Sequence, residues 1–246
     1  MKQFGLIGYP LSHSFSKRFF TEKFSRENII DCAYENYPLT DIAQFPDLLQ
    51  SVAGLEGLNV TIPYKESVIP FLTAPDETVT KIGACNCIHL KNGNLYGYNT
   101  DVYGFERALK TKLLPHHTSA LVLGTGGASK AVCFVLESLG ISYHLVSRSG
   151  VTDNPSVLAY SSLTKESYLS HTLIINTTPV GMHPADHLKP PITYDWITEK
   201  HFLFDLIYNP EQTLFLKEGA LKGAITLNGF DMLIFQAEKS WEIWNS

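Results

Sequence analysis

The sequence is poor in charge and contains no segment in which positive charge is concentrated. Of its 246 residues, 17% are charged and the formal net charge is -5. Without a basic run or an RNA-reading motif, we expect no nucleic-acid partner. No apolar run approaches the roughly 18 residues that a membrane-spanning helix needs, so we expect no membrane partner. The apolar segment in the N-terminal MKQFGLIGYP is too short for a signal peptide, which makes the cytoplasm the expected location.

Cysteine is scarce as well. The four cysteines, Cys32, Cys85, Cys87 and Cys133, lack the spacing of a disulfide framework. Cys85 and Cys87 form a CxC pair on a predicted strand, where alternate side chains share one face. A metal site would need further ligands at suitable spacing, and none lies nearby. We therefore expect reduced, structural thiols and no metal.

Short apolar segments alternate with helical patterns along nearly the whole chain, which is typical of an α/β protein. With 44% hydrophobic residues, the chain can form one large domain or two modest ones. Strands are predicted at 3–7, 32–37, 58–62, 85–90 and 94–98, then at 120–123, 143–147, 157–160, 173–176, 202–206 and 224–227. Helices are predicted from 14 onward, from 46, and at 101–109, 129–139 and 230–241. Because βαβ crossovers are right-handed, the part after residue 101 is predicted to be a parallel, doubly wound sheet.

A glycine-rich turn follows the strand at 120–123. In ALVLGTGGASKAVCFVLESLG, Gly124 and Gly126 occupy the first two positions of a G-x-G-x-x-G fingerprint, and Ser129 is a small residue at the third. The glycines allow a tight turn and a close approach of pyrophosphate, and the following helix offers free amides. Any tight strand-to-helix turn also favours glycine. Here the strand, the helix and the next strand follow at the distances of a dinucleotide-binding unit.

The end of the next strand reads VSRSG, with no acid before Asp153. NAD-binding proteins usually place an acid there against the ribose 2′-hydroxyl. Arg148 can instead pair with a 2′-phosphate, and Ser147 and Ser149 add hydroxyls. The pattern favours NADP over NAD, although Arg148 can also be read as an ordinary exposed loop residue.

Small polar residues cluster at predicted strand ends in the first 101 residues. They are Ser14 and Ser16 in HSFS, Asn59, Thr61 and Lys65 in NVTIPYK, Asn86 in GACNC, and Thr100 and Asp101 in GYNTD. Taken singly, each has a structural explanation such as a helix N-cap or a turn. Together they supply hydroxyls, amides, one ammonium and one carboxylate. We expect Asn59 and Thr61 to face a cleft and Lys65 to project from the strand end after Pro63.

These motifs, with GTGGAS, SRS, NTTPVGM, DLIYNP and NGFDMLIFQA, resemble the shikimate dehydrogenase family in order and spacing over nearly the whole chain. The resemblance implies reversible, NADPH-dependent reduction of 3-dehydroshikimate to shikimate, on the pathway to aromatic amino acids. It implies a substrate domain formed by residues 1–101 and 229–246, with a Rossmann-like NADP-binding domain at 102–228. The C-terminal helix would return to the substrate domain, and the assembly would be a monomer or a homodimer.

The resemblance also implies site residues. Lys65 and Asp101 would form the catalytic pair. The substrate would be bound by Ser14 and Ser16 at its carboxylate and by Thr61, Asn86, Asp101 and Gln236 at its oxygens, with Tyr208 close by. The cofactor would be bound by Gly124, Thr125, Gly126, Gly127, Ala128, Ser147, Arg148, Ser149, Leu206 and Gly229, with Glu77 also in reach.

Three positions depart from the family pattern. Lys17 replaces a frequent proline, Cys87 replaces a smaller or hydroxylated residue, and SRSGVTD lacks a second basic residue. The last departure leaves use of NAD open. Three other functions also stay open: a quinate/shikimate dehydrogenase of broader specificity, a methylenetetrahydrofolate dehydrogenase-like enzyme and a non-catalytic sensor. The SxS and GxNTD clusters argue against a pterin substrate, and Lys65 with Asp101 argues against a sensor.

Overall fold

The structure of the chain is a computed structural model that describes residues 1–11, 14–150 and 157–246. It divides into two compact units, the first formed by Met1–Thr100 with Ala237–Ser246 and the second by Asp101–Gln236. The sequence instead predicts domain boundaries after residues 101 and 228. In the part of the chain that is described, no helix has the length and apolarity to cross a membrane.

The first unit is built on a mixed six-stranded sheet. Its elements are β1 (Lys2–Gly8), α1 (Phe15–Arg26), β2 (Cys32–Pro38), α2 (Phe45–Ser51), β3 (Leu55–Val60), β4 (Ala74–Pro75), α3 (Glu77–Ile82), β5 (Cys87–Lys91) and β6 (Asn94–Tyr98). The strand order is β2-β1-β3-β5-β6-β4. β1 pairs in parallel with β2 and β3, and β4 with β6, whereas β3–β5 and β5–β6 are antiparallel. Short 3₁₀ turns lie at Ile42–Gln44 and Ile69–Phe71.

Aromatic side chains from the two ends of the chain pack together in the first unit. Phe4 on β1 stacks on Trp244, with ring centroids 5.0 Å apart, and Phe20 on α1 lies 5.5 Å from the same ring. The indole nitrogen of Trp244 donates to the Ile88 carbonyl at 2.9 Å. A Cβ on Gly57 would lie 2.4 Å from that nitrogen, so glycine is required there for the close approach of the indole. The C-terminal segment therefore completes the core of this unit.

The second unit is a parallel sheet covered by helices. Its elements are α4 (Thr100–Lys110), β7 (Ser119–Leu123), α5 (Gly127–Ser138), β8 (Ser142–Ser147), β9 (Val157–Ala159), α6 (Lys165–Ser170), β10 (Leu173–Asn176), β11 (Phe202–Asp205), α7 (Leu214–Leu221), β12 (Ile225–Leu227) and α8 (Phe230–Trp244). Short 3₁₀ turns lie at Tyr160–Ser162 and Tyr194–Trp196. Thr100 at the start of α4 and the last eight residues of α8 belong to the first unit.

The strand order of the second sheet is β12-β11-β10-β7-β8-β9, and every pair is parallel. This is the doubly wound order of dinucleotide-binding folds. Strands β8 and β9 are added on one side of β7 and strands β10 to β12 on the other, so the topological switch point lies between β7 and β10. Alternate residues of β7 enter different cores. Ala120 and Val122 pack with α5, whereas Leu121 and Leu123 pack on the opposite face with α7. The predicted α/β fold, with a Rossmann-like sheet and a returning C-terminal helix, is confirmed.

Two local predictions were wrong. β3 runs from Leu55 to Val60 instead of 58–62, because the chain turns after Val60, where the Tyr64 amide donates to the Thr61 carbonyl. Ile62 is 74% exposed, so the alternation predicted for this strand stops at Val60. Cys85 precedes β5, which begins at Cys87, so the two cysteines do not lie on one strand. The sequence-based assignment also missed β4 and three helices, α3, α6 and α7.

Candidate active site and nucleotide-binding site

One edge of the first sheet gathers most of the predicted substrate residues of that unit. β1 and β3 are parallel, with Ile7 paired to Val60, and antiparallel β5 starts opposite Asn59. The carboxyl ends of β1, β3 and β6 and the start of β5 therefore share this edge. Thr61, Asn86 and Thr100 all follow or precede strands there.

The turn after β3 holds the backbone of Lys65 at this edge. The Thr61 amide donates to the Ile7 carbonyl at 2.9 Å, and the Tyr64 amide donates to the Thr61 carbonyl at 2.9 Å. The Tyr64 side chain is buried and donates to the Leu39 carbonyl at 2.6 Å. The Lys65 carbonyl accepts from the Cys85 amide at 2.7 Å, one residue before Asn86. These contacts fix Lys65 next to the start of β5.

The N-terminus of α1 has the features of a carboxylate-binding site. Ser14 is the N-cap residue, but its side chain makes no capping hydrogen bond and no acid lies in the first turn. Its hydroxyl oxygen is buried, and no described residue hydrogen-bonds it. Exposed helix amides together with an unpaired hydroxyl suit a carboxylate. Ser16 is the second residue of α1, two positions after Ser14.

Asn59 does not face the cleft that the sequence predicts for it. It is 5% exposed and accepts from the Tyr34 hydroxyl at 2.8 Å through its side-chain oxygen. Its amide nitrogen donates to the Ser240 hydroxyl at 2.9 Å and, at 3.3 Å, to the Asn86 carbonyl. The expected alternation was wrong because β3 ends at Val60 and Asn59 points into a buried polar network.

The same network reaches Asn86. Its side-chain oxygen accepts from the Thr100 amide at 2.6 Å, and its nitrogen donates to the Thr100 hydroxyl at 3.1 Å. The Thr100 hydroxyl lies 3.2 Å from that of Ser240 on α8. A continuous series of buried hydrogen bonds thus joins Tyr34 to Asn86 and Thr100. Asn59 and Ser240 lie between them, and the sequence motifs assign no site role to Tyr34 or Ser240.

The four cysteines are free thiols, and three of them are buried. Burial raises the pKa of Cys85 to about 12, and burial also raises the pKa of Cys87. Both thiols are therefore protonated and unreactive near neutral pH. Within residues 1–11, 14–150 and 157–246, no group of three or more His, Cys, Asp or Glu side chains is positioned to hold a metal ion.

In the second unit, the glycine turn lies between β7 and α5, at the switch in strand order. Gly124 has φ +107°, and a Cβ there would lie 2.8 Å from Thr177 Oγ1. By contrast, a Cβ on Gly126 or Gly127 would meet no other described atom within 4 Å. Buried Ser129 secures the turn by donating to the Gly126 carbonyl at 2.7 Å. Thr125 and Ala128 are exposed beside the N-terminal amides of α5. This open cradle fits the pyrophosphate of a dinucleotide.

The end of β8 carries the three residues predicted for the 2′-phosphate. Ser147 accepts from the Gly150 amide at 3.1 Å, which closes a tight turn around Arg148 and Ser149. Both of these residues are exposed. Gly150 has φ +60°, and a Cβ there would lie 2.4 Å from that of Ala159 on β9. Asp153, and the rest of the SRSGVTD segment after Gly150, lie outside the described residues, as do Ser12 and His13 of the SHSFS motif.

Two fully buried polar residues end the neighbouring strands β10 and β11. Asn176 donates to the carboxylate of Asp205 at 3.0 Å, and Thr213 donates to the same group at 2.6 Å. Burial raises the pKa of Asp205 to about 6. The sequence analysis gave neither Asn176 nor Asp205 a role of its own. Each is nevertheless the one polar residue of an apolar strand, in LIIN and FLFD.

The remaining predicted residues are spread over both units. Asp101 is the second residue of α4, and Gln236 is a buried residue of α8 whose side chain donates to the Leu233 carbonyl at 3.0 Å. Leu206 and Tyr208 follow β11, and Gly229 follows β12. All five of these residues lie in the second unit. Glu77 lies in the first unit, where it is exposed at the start of α3 and pairs with Lys81 at 2.6 Å.

Comparison with known proteins identifies relatives along the whole chain. A family model described as the shikimate dehydrogenase substrate binding domain matches residues 6–88. The shikimate dehydrogenase (NADP(+)) of Caldanaerobacter subterraneus subsp. tengcongensis is 37% identical over 262 residues, covering 99% of this chain and 91% of that protein.

Solved structures agree. Shikimate 5-dehydrogenase from Thermus thermophilus, in complex with NADP(H) and shikimate, matches with a TM-score of 0.86 at 30% identity, covering 99% of this chain and 93% of that one. Quinate dehydrogenase from Corynebacterium glutamicum, in complex with NAD, matches with a TM-score of 0.86 at 25% identity and the same coverage. From these full-length similarities, the chain belongs to the shikimate dehydrogenase family.

Proposed function

We propose that this chain is an NADP-linked shikimate dehydrogenase that interconverts 3-dehydroshikimate and shikimate on the route to aromatic amino acids. The observation that carries the proposal is the full-length relationship to enzymes of that name. Every residue that the family motifs assign to substrate and catalysis is also present in this chain.

The first unit supplies the groups that bind the substrate. The amides at the start of α1 and the Ser14 hydroxyl, which no described residue hydrogen-bonds, suit the carboxylate of the substrate, and Ser16 adds a second hydroxyl. Thr61 and Asn86 would bind its ring hydroxyls, and the family resemblance also assigns Gln236 and Tyr208 to the substrate. The side-chain oxygen of Asn86 already accepts from Thr100, so its orientation is fixed before the substrate binds.

Lys65 and Asp101 are proposed as the catalytic pair. Reduction of a ketone places negative charge on its oxygen, and the Lys65 ammonium would stabilise that charge and donate the proton. In the direction of oxidation, neutral Lys65 would accept the proton from the hydroxyl. Asp101 would accept a hydrogen bond from the neighbouring hydroxyl and so orient the ring.

The second unit would hold the cofactor. When bound, NADPH or NADP⁺ supplies or accepts the hydride. The amides of Gly124–Ala128 would bind the pyrophosphate, and Ser147, Arg148 and Ser149 would bind the 2′-phosphate. The backbone at Leu206 and Gly229 would lie along the nicotinamide. Glu77 would be a further contact of the cofactor.

A spectrophotometric assay tests the proposal. The purified chain is mixed with shikimate and NADP⁺, and absorbance at the wavelength of NADPH is followed. Reactions with quinate, with NAD⁺ and without substrate run in parallel. Turnover with shikimate and NADP⁺ is the expected result. Binding of NADP⁺ without turnover of shikimate or quinate would contradict the proposal and would favour a sensor.

Broader specificity is the second candidate. It is favoured by the resemblance in fold to the quinate dehydrogenase that was solved with NAD, and by the lack of a second basic residue in SRSGVTD. The quinate and NAD⁺ arms of the same assay decide it. Comparable kcat/KM for quinate and shikimate would establish the broader enzyme.

A further inference from the structure

The carboxyl ends of β10 and β11 carry two polar residues to which the proposed reaction gives no role. Asn176 and Asp205 are the last residues of these strands, and both have 0% of their surface exposed. The other residues of the two strands are apolar. A carboxylate buried at this depth lowers stability unless hydrogen bonds compensate it, so its presence calls for a specific explanation.

The Asp205 carboxylate is held by three donors. Oδ1 accepts from Asn176 Nδ2 at 3.0 Å and from the Ile207 amide at 3.1 Å. Oδ2 accepts from the Thr213 hydroxyl at 2.6 Å. All three partners are neutral, so these contacts are hydrogen bonds to one charged group and no ion pair is involved.

Through these partners the carboxylate reaches three loops. Asn176 Oδ1 accepts from the Thr178 hydroxyl at 2.7 Å and from its amide at 3.1 Å, which fixes the loop after β10. The Ile207 carbonyl accepts from the Gly229 amide at 3.0 Å, which joins the loop after β11 to the residue after β12. A Cβ on Gly229 would lie 2.0 Å from the Leu206 carbonyl oxygen, so the two backbones are in direct contact.

These loops belong to one half of the doubly wound sheet. The half formed by β7, β8 and β9 carries the glycine turn and Arg148, which suit pyrophosphate and 2′-phosphate. In this fold each half receives one mononucleotide, and ligands lie outside the carboxyl ends of the strands. The second nucleotide of NADP, which carries the nicotinamide, is therefore expected over β10, β11 and β12.

We infer that Asp205 is a positioning residue for the nicotinamide half of the cofactor site. It holds the loops after β10, β11 and β12 at fixed separation, and these loops present backbone groups to the nicotinamide nucleotide. It touches neither substrate nor cofactor. The inference takes the identity of the cofactor from the proposed function.

A purely structural role would give a different result. Asp205 also binds Thr213, whose hydroxyl caps α7 by accepting from the Leu216 amide. If Asp205 served only to support this cap, its loss would lower the stability of the whole second unit. Affinity for the two halves of the dinucleotide would then fall equally. The discriminating measurement is therefore the affinity for the whole cofactor relative to that for its adenosine half.

The experiment uses isothermal titration of the full chain with NADPH and with adenosine 2′,5′-bisphosphate, which lacks the nicotinamide nucleotide. Asp205→Asn keeps the size of the side chain and removes the charge, whereas Asp205→Ala removes the hydrogen bonds. The matched control is His201→Gln, at the opposite end of β11. His201 is also buried, and its ring nitrogens contact the Thr198 amide at 3.0 Å and the Tyr168 carbonyl at 3.1 Å.

We expect the Asp205 variants to raise the Kd for NADPH by about tenfold, which corresponds to roughly 1.4 kcal/mol of binding free energy, because the loops that hold the nicotinamide half are no longer fixed. The Kd for the bisphosphate should change by less than about twofold, and His201→Gln should leave the ratio of the two constants unchanged. Equal weakening of both ligands, or unchanged binding of NADPH, in a folded Asp205→Asn protein would overturn the inference. Because neither titration contains substrate, failure of wild-type turnover with intact NADPH binding would count against the proposed function alone.

Discussion

At the scale of single residues, Lys65 carries the proposed proton transfer. We expect Lys65→Ala to lower kcat by about 10²–10⁴, the usual contribution of general acid–base catalysis, with a smaller change in the KM for shikimate. Steady-state kinetics at saturating NADP⁺ measures both. The control is Lys91→Ala, because Lys91 is exposed at the far end of β5, where it donates to the Ser246 carbonyl at 2.8 Å. A Lys65→Ala enzyme that keeps most of its kcat would exclude Lys65 from the chemistry.

Arg148 should decide the choice of cofactor. Loss of its guanidinium removes charged hydrogen bonds to a 2′-phosphate, each worth about 1.5–3 kcal/mol, and NADH has no such phosphate. Arg148→Ala is therefore expected to raise the KM for NADPH by roughly 10–100-fold and to leave the KM for NADH nearly unchanged. Arg26→Ala, which removes an exposed arginine from the first unit, is the control. Equal effects on both cofactors would refute the assignment.

Sequence alone could predict which residue types the site contains, but it could not predict which way they point. Thr61, Lys65 and Asn86 are recognised from their motifs, and the structure gathers their backbones at one sheet edge. Asn59 belongs to the same motif and points inward, because its side chain hydrogen-bonds Tyr34 and Ser240, which the local spacing cannot indicate. Asp205 was missed because its partner Asn176 is 29 residues away, and the two side chains meet only when the parallel strands β10 and β11 align.

At the scale of elements, local pattern predicted the long, strongly apolar strands well. β7, β8, β10 and β11 were predicted within one residue of their observed bounds. The missed elements are short: β4 has two residues, α3 and α6 have six each, and α7 has eight. Such elements bury too few side chains to give the sequence a clear hydrophobic periodicity, so their formation depends on tertiary packing and capping. The Asp76 and Thr164 caps of α3 and α6 are the local signals that could have indicated them.

The contact between α4 and α8 yields a prediction at the same scale. A Cβ on Gly104 would lie 2.5 Å from the Met232 carbonyl oxygen and 2.9 Å from the Cβ of Gln236. Because the obstructing atoms are mostly backbone, Gly104→Ala must separate the helices and displace Gln236, a proposed substrate ligand. We expect a destabilisation of about 1–3 kcal/mol and a KM for shikimate raised by about tenfold, with the KM for NADP⁺ unchanged.

Gly219→Ala is the matched control for that substitution. Gly219 is also helical, and a Cβ there would lie 2.5 Å from Leu203 Cδ2, the end of a flexible side chain. It lies on α7, and the atoms nearest to the added Cβ are those of Leu203 and Thr226, so it should alter the melting temperature without changing the KM for shikimate. If Gly104→Ala and Gly219→Ala shift the melting temperature alike and neither changes KM, Gly104 has no role in placing Gln236.

At the scale of the whole molecule, the buried carboxyl of Asp205 makes stability depend on pH. Burial raises its pKa to about 6, against the opposing effect of its hydrogen bonds to Thr213, the Ile207 amide and Asn176. In the unfolded chain its pKa returns to an ordinary value near 4. Between about pH 4 and 6, the native state therefore holds a proton that the unfolded state has lost. Stability from this group is complete below pH 4 and is lost as pH rises through 6.

Comparison with Asp205→Asn isolates this effect, because all other titrating groups are shared and cancel in the difference. We expect the free energy of unfolding of the wild type, relative to Asp205→Asn, to fall by up to about 3 kcal/mol between pH 4 and 6.5 and then to stay level. Urea unfolding followed by far-UV circular dichroism at half-unit pH steps measures it, and hydrogen exchange of β10 peptides assigns the change to the second unit. A difference that is constant with pH, or that rises, would mean that the buried carboxyl does not hold its proton above the ordinary range. The loops after β10, β11 and β12 would then be held by a carboxylate that is ionised throughout this range.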